Sequence, residues 1–142
     1  MENVVSSAGG SLAGLSQFLA YLVASLALIA IFVVLYSLLT PQRDLALIRR
    51  GNAAAAVNLG GALLGFAIPL SKSVSQSHDL VDMVIWSSVA LVVQLAIFFL
   101  SGLVIAHESR KIAEGDMAAA AFLAFAAVAG GFVTSASMTY SP

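Results

Sequence analysis

The chain has no cysteine among its 142 residues, which excludes disulfide bonds and thiol chemistry. Only 9% of its residues are charged, against about 25% in an average soluble domain. Its net charge of −1 provides no basic surface for a nucleic acid. The basic segment and cleavage site of a signal peptide are also lacking. We therefore expect the first apolar segment to remain in place as an anchor.

Long apolar segments make up most of the chain. A bilayer core of about 30 Å requires about 20 apolar residues as a helix, and backbone polar groups in hydrocarbon must bond internally. Four runs without Asp, Glu, Lys or Arg meet this length: 3–42, 51–71, 83–106 and 117–142. We therefore predict an all-α, polytopic membrane protein with the lipid bilayer as its main partner. Its spans, numbered 1 to 4, lie at about 15–39, 53–71, 83–106 and 117–139, after a flexible leader over 1–14.

Loop signals separate the spans. Thr40-Pro41 ends the first span, because a proline biases the preceding residue away from helical geometry. Residues 44–51 can form a short interfacial helix that stops at Gly51. Short polar side chains cap helix starts, so we expect three caps at the following spans: Asn52, Asp116, and either Asp79 or Asp82.

The second and fourth runs begin with the same pattern, 64 residues apart. Seven of fifteen positions are identical between 48–62 and 112–126, including Gly51 and Gly115. The alternative is chance similarity between two alanine-rich segments. A true duplication predicts one membrane domain made of two tandem parallel-repeat hairpins, related by an axis along the membrane normal. These hairpins cover 15–75 and 76–142.

Basic residues indicate the orientation. Five of the six lie in the first and third loops: Arg43, Arg49, Arg50, Arg110 and Lys111. Cytoplasmic loops carry an excess of such residues, so we expect both termini outside a bacterial inner (plasma) membrane. The first three arginines are also candidates for docking a cytosolic partner or binding anionic lipid headgroups, although orientation alone accounts for them.

Small residues follow one face of the second and fourth spans. Gly61 and Gly65 have the spacing that allows membrane helices to approach closely, and Gly130 and Gly131 lie in the fourth span. We therefore expect these two spans to form the inner pair. Pro69, near the outer end of the second span, should kink or end that helix.

Two amides lie inside the spans. At 1.5 Å per residue, Asn58 lies roughly 10 Å and Gln94 roughly 18 Å from the cytoplasmic ends, too far apart for a direct bond. Each therefore requires another partner, such as a carbonyl, a serine, a water or a neighbouring subunit. They are either packing contacts or the lining of a polar path or oligomer centre.

Catalytic, metal and cofactor sites are not expected. No Asp, Glu, Lys, Arg or His lies within a span, which disfavours a proton-driven transporter and leaves Ser87 and Ser101 without an activating base. His78, Asp79 and Asp82 cluster in the middle loop, where such side chains are usually solvated or act as caps.

The combined motifs resemble the bacterial YjfL-like family, domain of unknown function 350. They are Gly51-Asn52-x-Ala54-Ala55, Gly61-x-x-x-Gly65-x-x-x-Pro69-Leu70, Trp86-x-x-x-Ala90-Leu91-x-x-Gln94-Leu95, Ala118-Ala119 and Ala129-Gly130-Gly131. The resemblance implies a duplicated inner-membrane protein with four spans and an unassigned role. It also implies, at most, envelope maintenance or small-solute handling, since some relatives are encoded near membrane-stress and polyamine-related genes. No functional residue is established for the family.

These observations lead to three hypotheses. The first is a non-enzymatic homo-oligomer with a structural or envelope-maintenance role. The second is a channel or transporter for ions or small polar solutes, formed by an oligomer. The third is a membrane anchor for a cytosolic membrane-stress protein.

Overall fold

A computed structural model describes residues 1–40, 43–105 and 107–138, and within these ranges the regular structure is helical throughout. Four of its helices are long and apolar enough to cross a membrane. The all-α fold class predicted from the sequence is therefore confirmed. The helices in chain order are α1 (Glu2–Leu39), α2 (Asp44–Arg49), α3 (Ala53–Gln76), α4 (Leu80–Val104), α5 (Glu108–Ala113) and α6 (Met117–Ser137).

Helix α1 corrects the prediction of a flexible leader over residues 1–14, because it begins at Glu2. Extending an existing helix requires no new nucleus. The leader also contains no proline, and its serine hydroxyls donate to carbonyls of the preceding turn. Ser7 Oγ, for example, donates to the Asn3 carbonyl at 2.6 Å.

Helix α3 also differs from its predicted end at residue 71, because it continues to Gln76 with Pro69 inside it. A proline removes one backbone donor, here the N–H that would bond the Gly65 carbonyl, and the helix resumes beyond it. The predicted boundary between hairpins, at 75/76, therefore falls in the last turn of α3. The turn to α4 is only Ser77–Asp79, and the predicted end of the fourth span at 139 lies outside the described residues.

The predicted helix caps are present. Asn52 Oδ1 accepts from the Ala55 N–H at 3.0 Å, and Asp79 Oδ1 accepts from the Asp82 N–H at 2.8 Å. Asp116 Oδ1 accepts from the backbone at the start of α6. Asn52 Nδ2 also donates to the Ile112 carbonyl at 2.9 Å, so this side chain ties the start of α3 to the end of α5.

The two connectors, α2 and α5, have the same backbone design 64 residues apart. Each is a six-residue helix preceded by a left-handed residue, Arg43 with φ 52° and His107 with φ 57°. Each is followed by a glycine at positive φ, 85° at Gly51 and 83° at Gly115. Only glycine adopts that conformation without steric cost, and this accounts for the repeated glycine of the sequence pattern.

The centre of the molecule is the contact between α3 and α6. A Cβ added to Gly61 would overlap Ala124, and one added to Gly131 would overlap the Gly65 carbonyl. The two backbones therefore lie as close as small residues allow. Helix α1 contributes only Leu28, Phe32 and Tyr36 to the buried core, where the rings of Phe32 and Phe66 stack at 4.9 Å.

Candidate functional site

A buried polar node joins the end of α1, the start of α2 and the second turn of α3. Its members are Tyr36, Asp44 and Asn58, which are 0%, 2% and 2% exposed. The Tyr36 hydroxyl donates to Asp44 Oδ2 at 2.8 Å. Asn58 Nδ2 donates to the Tyr36 oxygen at 2.7 Å and to Asp44 Oδ2 at 3.1 Å. Three elements are therefore held together by mutually bonded side chains.

The backbone around α2 brings Asp44 into this position. The left-handed conformation at Arg43 precedes α2, and Asp44 is the first residue of that helix. Thr40 strengthens the turn, because its hydroxyl donates to the Tyr36 carbonyl at 2.9 Å. A carboxyl group is rarely buried unless it is hydrogen-bonded, and here Tyr36 and Asn58 both donate to it.

Glu108 brings a second carboxyl close to the node. It is the first residue of α5, as Asp44 is of α2, and the two acids are 64 residues apart. Its carboxylate lies against Gly102 of α4, in the space that a Cβ at that position would occupy. Within the described residues its Oε2 atom is buried and has no hydrogen-bond partner. Burial, and secondarily the negative charge of Asp44, raise the pKa of Glu108.

The structure separates the two amides expected from the sequence. Asn58 belongs to the node, whereas Gln94 bonds to α6, where its Nε2 donates to the Ala127 carbonyl at 3.0 Å. That amide packs against Gly65 of α3. Gln94 Oε1 is buried and has no partner in the described part of the chain. Gln94 therefore links α4 to the α3–α6 contact by a backbone carbonyl.

The small residues and arginines predicted from the sequence lie in different places. Gly61, Gly65 and Gly131 lie between α3 and α6, whereas Gly130 packs against Ile97 of α4. Arg43, Arg49 and Arg50 are exposed on the first connector and form no salt bridge within the described residues.

Sequence reasoning missed Tyr36, Asp44 and Glu108. No charged residue lies within a span, as the sequence shows, but Asp44 is buried beside α1 and α3 although it lies outside them in sequence. That burial weakens the argument against proton or cation handling. One signal could have found the acids, since Asp44 and Glu108 are separated by the repeat interval of 64 residues.

Together, the four apolar helices and the buried polar node define a polytopic α-helical membrane protein. The chain belongs to the family described as Domain of Unknown Function (DUF350), whose model matches residues 10–138. The resemblance drawn from the sequence motifs is thereby confirmed.

Curated relatives agree with this assignment. The chain is 37% identical over 126 residues to the "UPF0719 inner membrane protein YjfL" of Escherichia coli strain K12, covering 89% of this chain and 96% of the relative. It is 29% identical over 86 residues to the "UPF0719 transmembrane protein YshE" of Bacillus subtilis strain 168, covering 61% and 64%. No solved structure matches the chain significantly.

Proposed function

We propose that the protein is a non-enzymatic structural component of the bacterial inner membrane that assembles as a homo-oligomer. The exposure of α1 carries this proposal. At 1.5 Å per residue its 38 residues extend about 57 Å, well beyond a hydrocarbon core of about 30 Å. Only three of its side chains are fully buried in the protomer, and four more are half-buried against the core. Most of this helix is therefore available to a neighbouring copy.

The packing inside the protomer favours an oligomeric assembly and argues against a channel within a single chain. The contact between α3 and α6 brings Gly61 against Ala124 and Gly131 against the Gly65 carbonyl, which leaves no space for a water-filled path between these helices. An aqueous path cannot therefore run between α3 and α6. The buried Ser73 and Ser87 hydroxyls have no hydrogen-bond partner in the described residues, so neither is paired with a base that would activate it.

The mass of the purified protein tests the oligomer. We expect two or more chains per particle in several mild detergents and in lipid nanodiscs, measured by light scattering or native mass spectrometry. Persistence of the same stoichiometry on dilution would support a specific assembly. A single-chain mass under all of these conditions would contradict the proposal.

The orientation and the duplication belong to the same proposal. We propose that the loops containing α2 and α5 lie in the cytoplasm and both termini outside, because these two loops carry five of the six basic residues. The equal spacing of Arg43 and His107, and of Gly51 and Gly115, supports two tandem copies of one hairpin. Docking of a cytosolic membrane-stress protein is supported by the exposed arginines of the first loop, Arg43, Arg49 and Arg50.

The buried node favours a second function, the handling of protons or small cations by the assembly. Asp44 is buried and Glu108 is half-buried, and burial, followed by the negative charge of Asp44, raises the pKa of Glu108. Carboxyl groups in such surroundings mark proton and ion pathways in membrane proteins.

Flux measurements in proteoliposomes test this second function. We expect the native protein to pass protons, Na⁺ or K⁺ down an imposed gradient, and Asp44→Asn to reduce that flux at least ten-fold. Glu2→Gln makes the same acid-to-amide change at an exposed site and should leave the flux unchanged. Absence of flux for all three cations with the native protein would rule out this function.

A further inference from the structure

The outer part of α1 carries an apolar stripe that its own protomer does not cover. Apolar side chains recur at alternating intervals of three and four residues, the pattern of a coiled coil. We call this stripe the α1 seam, which consists of Val5, Ala8, Leu12, Leu15, Leu19, Leu22 and Leu26. Every Glu, Asn, Ser and Gln between residues 2 and 17 lies off the seam. A strict period of 3.5 residues keeps a seam facing a second helix.

The seam points away from the four-helix bundle. Helix α1 contacts the bundle through a face centred on the buried Leu28, Phe32 and Tyr36, with the half-buried Tyr21, Ala24, Ile29 and Leu35 around them. At about 100° per residue that face lies roughly 120° around the helix from the seam. Exposure agrees with this geometry, since Leu12 is 67% and Leu26 is 56% exposed. A second helix can therefore occupy the seam without displacing any contact within the protomer.

The first part of α1 extends past the end of the bundle. Gly14 and Tyr21 line a surface cavity together with Val74 and Ser77. This part of α1 therefore lies beside the turn between α3 and α4. Residues 2–13 therefore project by about 18 Å at 1.5 Å per residue. This segment extends α1 without a new nucleus, but Gly9 and Gly10 each cost about 1 kcal/mol relative to alanine, so a partner helix would stabilise it.

We propose that the α1 seam is the interface between two copies of this chain, which pair through α1 as a parallel coiled coil. The proposal rests on the homo-oligomer proposed above and names its contact surface. Copies inserted in the same direction have parallel α1 helices, so each seam residue meets its own counterpart. At roughly 70 Å² per side chain, two seams would bury on the order of 1,000 Å², the lower limit for a specific interface.

The proposed interface lies partly in water and partly in the membrane. Residues Val5 to Leu15 lie on the projecting segment or at its base, where burial of apolar surface from water drives association. Leu19 to Leu26 lie beside the membrane-spanning bundle, where the hydrophobic effect between helices is absent and packing alone contributes. Substitutions near Leu12 should therefore weaken the pair more than equal substitutions near Leu26.

Cysteine cross-linking tests the seam directly, because the natural chain has no cysteine. Leu12→Cys and Ala13→Cys each introduce one thiol at an exposed, adjacent position, the first on the seam and the second off it. After mild oxidation in proteoliposomes we expect at least ten-fold more disulfide-linked dimer from Leu12→Cys. Leu15→Cys should behave as Leu12→Cys does. Equal cross-linking at positions 12 and 13 would contradict the proposal.

A variant with a disrupted α1 seam distinguishes this proposal from the broader proposal that the protein is a homo-oligomer. Leu12→Ser combined with Leu15→Ser should convert the native oligomer into single chains in detergent, with the helical circular dichroism of the membrane bundle retained. An oligomer that survives both substitutions and shows no cross-link at position 12 would overturn the seam and leave the homo-oligomer standing. A native protein that is already a single chain would overturn both.

Discussion

Replacing Gly61 by alanine is expected to destabilise the fold by about 2–3 kcal/mol, the usual cost of overpacking a filled core. The added Cβ would overlap the Cα and Cβ atoms of Ala124. Neither atom belongs to a flexible side chain, so the helices would have to separate. Separation would also loosen the neighbouring contact between Gly65 and Gly131.

Gly60 provides the matched control one residue earlier on the same helix. A Cβ there meets nothing within 4 Å, so Gly60→Ala should be neutral or stabilise α3 by up to about 1 kcal/mol through helix propensity. Thermal or denaturant unfolding of both variants in one detergent, followed by circular dichroism, gives the comparison. Equal stability of the two variants would show that α3 and α6 do not meet at Gly61.

Asn58→Leu is expected to cost about 2–3 kcal/mol, the penalty for leaving buried polar groups without their donor. Leucine is similar in size to asparagine but removes both hydrogen bonds that the amide donates, to Tyr36 and to Asp44. Hydrogen bonds between membrane helices contribute on average only about 0.6 kcal/mol. The larger effect is expected here because one acceptor is a buried carboxyl group.

Two variants calibrate this result in the same unfolding assay. Gln94→Leu removes a single bond to a backbone carbonyl and should cost close to the membrane average of about 0.6 kcal/mol. Ser71→Leu places the same side chain at an exposed position of α3 and should have little effect. If Asn58→Leu cost no more than Gln94→Leu, the node would contribute nothing beyond ordinary packing.

Local signals in the sequence predicted much of the fold. The four uncharged runs gave the four long helices, because length and hydropathy alone decide whether a helix spans a bilayer. The caps at Asn52, Asp79 and Asp116 were equally predictable, since capping depends on residues three positions apart. The start of α1 and the end of α3 were not, because helix continuation past serines, glycines or a proline depends on neighbouring structure.

The buried polar node could not be predicted from local sequence patterns. Asp44 sits in a charged loop, where a carboxyl is normally solvated, and Tyr36 sits in an apolar run. Their meeting depends on how α2 folds back after Arg43, which no local pattern reveals. Asn58 was singled out from the sequence, but its partners come from two other elements, 22 and 14 residues away. The interval of 64 residues between Asp44 and Glu108 is the sequence signal that could have pointed to these two acids.

Electron microscopy of the native protein in lipid nanodiscs tests the central claim, that this membrane protein works as an assembly joined through α1. The account predicts particles with more than one four-helix bundle, in which the α1 helices of neighbouring copies run parallel with their axes about 8–10 Å apart. Particles that contain one isolated bundle, or bundles joined through other helices while α1 faces only lipid and water, would contradict it.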